Sequence, residues 1–428
     1  MIVYRDQKYE ETQNVYMIKR IGRTLRCSFS VSLLLIICTT SLRAQMVDKI
    51  CTTDFEIDPE QNKELSFKLD NISFFKNNEF DGTMLKGYTL PGFWAQPKFV
   101  YYPTDNIRLE AGAHLLVYSG AYQYPCFSYS DIANWKGEQY QRGAHVLPYF
   151  RAQLALGDVH FVLGNIYGGA NHHLIDPLFN PELNLTADPE AGIQILYNSK
   201  NFDLDVWGNW QSFIFRGDTH QEEFTFGVSS RVKLNRESSP VHCYIPIQML
   251  AQHRGGELDT ITDNSVQTLM NGAVGLGITW NMERRILKRV NVEFDAAGYY
   301  QQAGELWPFD KGFGLYGSAF VDLKDFRVKA GYWQCDNFVS MFGTPYFGAV
   351  SMKEKGATFD KPQTLYGSVE YSRTFGKHYA IGLKADIYQY YPGVMKRADG
   401  SIFEPGTLTG FSVGAYIRLN PSFLIKKF

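Results

Sequence analysis

The chain has 428 residues, enough for one large domain or a few ordinary ones. Its 42 Lys and Arg against 44 Asp and Glu leave a formal charge of −2, so neither nucleic acid nor an acidic polymer is an expected partner. Tyr and Phe carry an aromatic excess over ordinary globular composition, and glycine is common.

Residues 1–44 read as an upstream extension followed by a signal peptide. Met17, Lys19, Arg20, Arg23 and Arg26 open it with basic charge, and residues 29–38 form an apolar core about half the ~20 residues of a spanning helix. Residues 39–44 end in Ala44, which places cleavage before Gln45, although Leu42 is large for the −3 position. Cys38 follows Ile36 and Ile37 rather than a small residue, which excludes lipid anchoring. Of the four cysteines that remain, Cys51, Cys126, Cys243 and Cys335, only Cys126 and Cys335 fall on the same side in the topology below, and their spacing matches no disulfide framework. Residues 45–64 form a short lead into the main domain.

From Leu65 onward the pattern has period two. Phe202, Leu204, Val206, Gly208 and Trp210 share one face, while Asp203, Asp205, Trp207, Asn209 and Gln211 share the other. The same alternation sets Ile107, Leu109 and Ala111 against Arg108, Glu110 and Gly112, and Phe411, Val413 and Ala415 against Ser412, Gly414 and Tyr416. No continuous apolar run after residue 44 reaches the ~18 residues of a membrane helix. Strands are predicted near Leu65, Phe93, Ile107, Pro148, Val159, Glu190, Phe202, Glu223, Val241, Gly272, Val290, Gly314, Phe326, Leu365, Tyr379 and Thr409. The total is about sixteen, within a range of about 14–18. The weakest are those near Leu65 and near Val241, where Pro246 interrupts.

Connections alternate in length. Short ones fall at 103–106, 157–158, 199–201, 235–238, 282–287, 324–325 and 376–377; long ones fall at 76–89, 119–147, 168–189, 216–222, 255–269, 301–313, 334–362 and 389–408. This is the organisation of an all-β, transmembrane, antiparallel up-and-down barrel over residues 65–420, with both termini periplasmic and residues 421–428 as a tail. A soluble sandwich or propeller fits less well: the strands run long, their polar faces carry charges, and no fixed repeat recurs.

Signal peptide, period-two strands, alternating connections and the final Phe428 together resemble the porin-like outer-membrane β-barrel proteins of Gram-negative bacteria. The resemblance is architectural and rests on no family-specific motif. It implies residence in the outer membrane among its lipid and lipopolysaccharide, and insertion by the barrel assembly machinery. Members usually end on the last strand, whereas Pro421 is expected to stop the strand here.

The phasing points Arg108, Glu110, Asp203, Asp205, Glu293, Asp295, Arg327, Lys329, Lys384 and Asp386 into the lumen. Their signs nearly cancel, which suits either passage of small polar solutes through a watery channel or pairing across the wall. Tyr122, Tyr124, Trp135 and Tyr140 cluster in the second long loop, where rings can stack on sugars or serve the interfacial girdle. His172, His173 and Asp176, with Asp188 and Glu190 nearby, match no known metal spacing and read as a solvated loop. Candidate bases His114, His160, His220, His253 and His378 are scattered, and no Gly-x-Ser-x-Gly or His-Glu-x-x-His motif occurs. The expectation is therefore a porin-like channel for small polar solutes, glycans among them, narrowed by the 119–147 or 334–362 loop. A surface adhesin or structural component of an outer-membrane complex is the alternative. The chain is not expected to be an enzyme, an outer-membrane barrel enzyme being the least favoured alternative, and no cofactor, metal or catalytic residue is expected.

Overall fold

The structure is a computed structural model that describes residues 46–80, 82–119, 144–213, 221–256, 266–282, 284–376 and 378–428. Its strands are β1 (Glu64–Phe80), β2 (Tyr88–Thr104), β3 (Ile107–Tyr118), β4 (Ala144–Leu156), β5 (Val159–Asn165), β6 (Ala191–Asn198), β7 (Phe202–Ser212), β8 (Glu223–Lys233), β9 (Val241–Arg254) and β10 (Gln267–Asn281). They continue as β11 (Leu287–Ala303), β12 (Lys311–Leu323), β13 (Phe326–Asp336), β14 (Thr358–Asp360), β15 (Gln363–Phe375), β16 (Tyr379–Tyr391), β17 (Val394–Lys396), β18 (Ile402–Phe403), β19 (Leu408–Leu419) and β20 (Ser422–Lys427). β14, β17 and β18 form a small separate sheet in the long loops.

The other strands pair antiparallel in chain order, and β19 returns to β1, with Asn71 opposite Leu419 and Phe80 opposite Gly410. Closure abolishes the sheet edge, which a hydrocarbon environment requires because lipid cannot satisfy an open row of backbone groups. All sixteen strands expected from the alternation are staves of this barrel. Pro246 leaves a gap in the β9–β10 ladder between the Val274–Ile247 and Gly277–Tyr244 pairs without changing register.

Residues 422–428 depart from the expected tail. β20 resumes beyond Pro421 in the register of β19, placing Ser422 opposite Lys68 and Phe423 opposite Phe67. Proline fits there because β16 has already ended and β1 alone is left to pair; the Pro421 carbonyl accepts from the Leu69 amide at 3.1 Å.

The outer face is apolar. Phe75, Phe99, Phe150, Leu163, Ile193, Val274, Phe294, Leu315, Val369 and Ile387 are among the large side chains exposed on it. A belt of this extent around the whole wall suits lipid and not water, which places the protein in the outer membrane.

The inside is packed. Phe338, Val339, Met341, Phe342, Tyr346, Phe347, Ala349 and Val350, from the 337–362 connection, are all buried in the main core cluster. Asn271 on the wall holds this loop as a strand would, donating to the Val339 carbonyl and accepting from the Met341 amide, both at 2.9 Å. The 166–190 connection packs beside it. Asn180 donates its amide to the Phe342 carbonyl at 2.8 Å, and Gln248 brackets Ile175 and His173 with two 3.0 Å bonds. Residues 46–57 enter from the short-turn end. The helix Met46–Ile50 lies against β16, where a Cβ on Gly382 would come within 2.7 Å of Met46. Arg418 donates to the Ile50 and Thr52 carbonyls, and Gln153 donates to that of Phe55 at 2.6 Å. The cavity lined by Lys76, Glu182, Lys384 and Tyr388 has room for about a water-sized group, near 30 Å³.

His172 fastens the inner loop to the wall. Its ring stacks on Trp207 at 3.5 Å and 8°, its Nδ1 meets Asp205 at 2.7 Å, and its Nε2 meets Glu190 at 3.1 Å. Burial alone would lower its pKa, but the two carboxylates outweigh burial and raise it to about 10. The ring is therefore an imidazolium inside a packed barrel, and the expectation of a solvated loop at His172 is overturned.

Two outcomes follow. In planar bilayers the protein shows no stepwise openings, and removing residues 338–349 produces them; steady porin-sized openings from the full chain would contradict the packed interior. Replacing His172 by Ala strands two carboxylates and costs about 3–5 kcal/mol in denaturation experiments. Because the folded pKa lies above the unfolded value of ~6.5, this stabilisation is complete below that pH and is lost as pH rises through about 10. A His172→Gln variant lacks that slope.

Candidate functional site

β5 and β6 are the shortest staves, at 7 and 8 residues against 11 for β7 and 17 for β1. β4 pairs with β3 from Ala144, but with β5 only from Arg151. β7 pairs with β8 up to Ser212, but with β6 only up to Asn209. At its long-loop end the wall is therefore interrupted, among the described residues, for roughly 20 Å along β4 and about 14 Å across three strand spacings.

Local chemistry makes this gap. Gly164 adopts φ +93°, where a Cβ would sit 2.3 Å from the Phe150 carbonyl. Asn165 then accepts the Phe150 amide with its side chain at 2.8 Å in place of a ladder bond. Arg151 takes the Asn165 and Ile166 carbonyls at 2.6 and 3.0 Å, which turns the chain inward. On the opposite flank the Ala191 amide donates to the Asn209 side chain at 3.0 Å. Both ladders thus end on asparagine side chains, and residues 166–190 run into the barrel interior as irregular chain.

His145 and Asp188 meet in this gap. His145 lies on the inward face of β4, Asp188 lies two residues before Glu190, and Nδ1 to Oδ1 measures 2.9 Å. Both side chains are about one-fifth exposed, so the pair is neither sealed in the core nor fully in solvent. An imidazole donating Nδ1–H to a carboxylate carries its lone pair on Nε2, the arrangement of a general base with an orienting group. The neighbouring Glu190, paired with His172, accepts the Gly169 amide at 2.8 Å; the His172 imidazolium offsets burial and holds its carboxyl below the usual range. No group of three or more His, Cys, Asp or Glu side chains among the described residues is placed to hold a metal.

The inward charges expected from phasing do lie inside, and most of them are in ion pairs. Glu110 sits 3.1 Å from Lys98, with Arg108 at 2.5 Å and Arg151 at 3.6 Å around it. Asp203 pairs with Lys233 at 2.7 Å, Asp205 holds His172, and Glu293 accepts from the Tyr244 hydroxyl at 2.5 Å. Arg327 contacts Asp322 at 2.6 Å, Lys329 meets Asp176 on the inner loop, and Lys384 bridges Glu370 and Asp386 at 3.5 and 3.2 Å. Asp295 is buried on the same face. Tyr122, Tyr124, Trp135 and Tyr140 lie outside the described residues, as do the signal segment and Cys126; Cys335 is a buried free thiol. His145 was absent from the scattered candidate bases because its partner stands 43 positions away, across a loop whose path no local pattern reveals.

A family profile described as Lipid A 3'-O-deacylase-type matches residues 57–428. No curated relative matches. Among solved structures, the chain is similar to OprD of Pseudomonas aeruginosa at 9% identity, covering 87% of this chain and 98% of that one with a TM-score of 0.45. It is similar to OmpT of Vibrio cholerae at 8% identity, covering 83% and 99% with a TM-score of 0.44. Another is OccK2 of Pseudomonas aeruginosa in complex with glucuronate, at 7% identity, 85% and 99% coverage and a TM-score of 0.44. The profile spans the whole barrel and overturns the expectation that no enzyme is present: the chain belongs to the lipid A 3'-O-deacylase-type family.

Proposed function

We propose that this barrel is an outer-membrane hydrolase that removes an ester-linked acyl chain from lipid A, with the long loops outside and both termini periplasmic. Family membership names the reaction type, and the observation that carries the reading to a site is the interrupted wall with His145 and Asp188 in it. A substrate anchored in the outer leaflet reaches such a site sideways, without leaving the membrane. The lipid moiety of lipopolysaccharide is then the substrate as well as the surroundings.

In this reading His145 Nε2 takes a proton from water as the water oxygen bonds to the acyl carbonyl carbon. The bond between that carbon and the sugar oxygen breaks, and the imidazolium returns the proton to the leaving oxygen. A free fatty acid and a lipid with one new hydroxyl result. Asp188 keeps the ring oriented and balances its transient charge. Solute passage has less support, because most inward charges are paired and loops occupy the lumen.

Expressed in a lipid A-bearing outer membrane, the protein is expected to yield lipid A one acyl chain lighter by mass spectrometry. His145→Ala lowers that conversion by roughly 10²–10⁴ while the barrel keeps its heat-modifiable gel migration. Unaltered lipid A with folded wild-type protein would refute the activity. Full conversion by His145→Ala would refute the base.

A further inference from the structure

On the lipid-facing side of β7 to β10, next to the gap, four strands contribute one continuous row. Trp210 stands opposite Phe224, Phe224 opposite His253, and His253 opposite Thr268. Ring centroids are 5.3 Å apart for Trp210 and Phe224 and 5.1 Å for Phe224 and His253; Phe213 stacks on Trp210 at 5.7 Å and 10°. His253 Nδ1 lies 2.9 Å from the Thr268 hydroxyl. Trp210 and Phe213 are 42% and 58% exposed. Each member lies within two residues of the long-loop end of its strand, the end where a barrel's interfacial girdle is expected.

An interfacial girdle needs rings, but it does not need a histidine and a threonine hydrogen-bonded to each other on the lipid side. Flat apolar faces followed by a polar donor and acceptor match a saccharide, which has apolar ring faces and hydroxyl edges. The row starts on β7, the flank of the gap, and extends about 14 Å across three strand spacings, the scale of two sugar rings. We propose that it is a headgroup subsite that binds the phosphorylated glucosamine disaccharide of an outer-leaflet glycolipid while an acyl chain lies in the gap. The choice of glycolipid rests on the deacylase reading; the sugar-binding chemistry rests on the row itself.

The test uses the full chain in phosphatidylcholine nanodiscs, titrated with the acyl-free phosphorylated glucosamine disaccharide and followed by tryptophan emission and calorimetry. Saturable binding is expected, weakened about tenfold or more in a Trp210→Leu, Phe224→Leu double variant, which keeps an apolar girdle but loses the rings. His253→Ala weakens it less, and His253→Gln restores part of the loss. Heat-modifiable migration confirms that each variant is folded. Absence of disaccharide binding, or equal binding by the double variant, overturns the subsite. Ring-dependent binding without acyl release from lipid A upholds the subsite and removes the deacylase reading. Acyl release unaffected by the double variant at subsaturating lipid A does the reverse.

Discussion

Everything in this protein follows from the need to satisfy backbone hydrogen bonds where no water can. In hydrocarbon an unpaired amide or carbonyl costs several kcal/mol, so the sheet has to close, and β1 has to find β19 more than three hundred residues away. Pro421 shows how strictly this holds. There a residue with no amide hydrogen sits where one neighbour is left, and that neighbour still uses the proline carbonyl. The same rule gives the gap between β4 and β7 its meaning. There the ladder stops without leaving its ends bare, because Asn165, Asn209 and Arg151 take over the exposed backbone groups.

Closing sixteen strands creates an interior too wide for wall side chains alone to fill, and the protein fills it with its own loops. Loops are poor core material, since each residue brings backbone polar groups inside. Asn271, Gln248 and Asn180 answer that demand by hydrogen-bonding to loop backbone, while His172 answers it with charge. The buried ion pairs around Glu110 and Asp322 are the corresponding cost on the wall side, tolerable because several cations share each carboxylate. On the proposed reading, a packed barrel presents its chemistry to the side, toward the leaflet, where an enzyme acting on a membrane lipid can use it.

The fold was legible because lipid outside and protein inside impose the strictest of periodicities, so that alternation at Phe202 to Gln211 or at Ile107 to Val117 marks staves directly. The site was not legible, and the reason is specific. His145 looks like one more inward polar residue, and Asp188 looks like one more loop acid; only the inward path of residues 166–190 brings them together. Inward charge was visible too, but alternation cannot say whether it faces water or a partner, and here most partners stand on neighbouring staves while loop residues hold Asp205 and Lys329. The aromatic richness that suggests sugars in the second long loop also occurs on β7 and β8, where alternation marks Trp210 simply as part of the apolar face of a stave.

The N-terminal segment adds a consequence for order of assembly. Residues 46–57 find Gln153 on β4 and Arg418 on β19, and the helix at Met46–Ile50 rests on Gly382 of β16. Those partners are neighbours only after the first and last staves have met. The segment is therefore the last piece to settle, a stopper that fits only a finished vessel, and its seating reports that closure has succeeded.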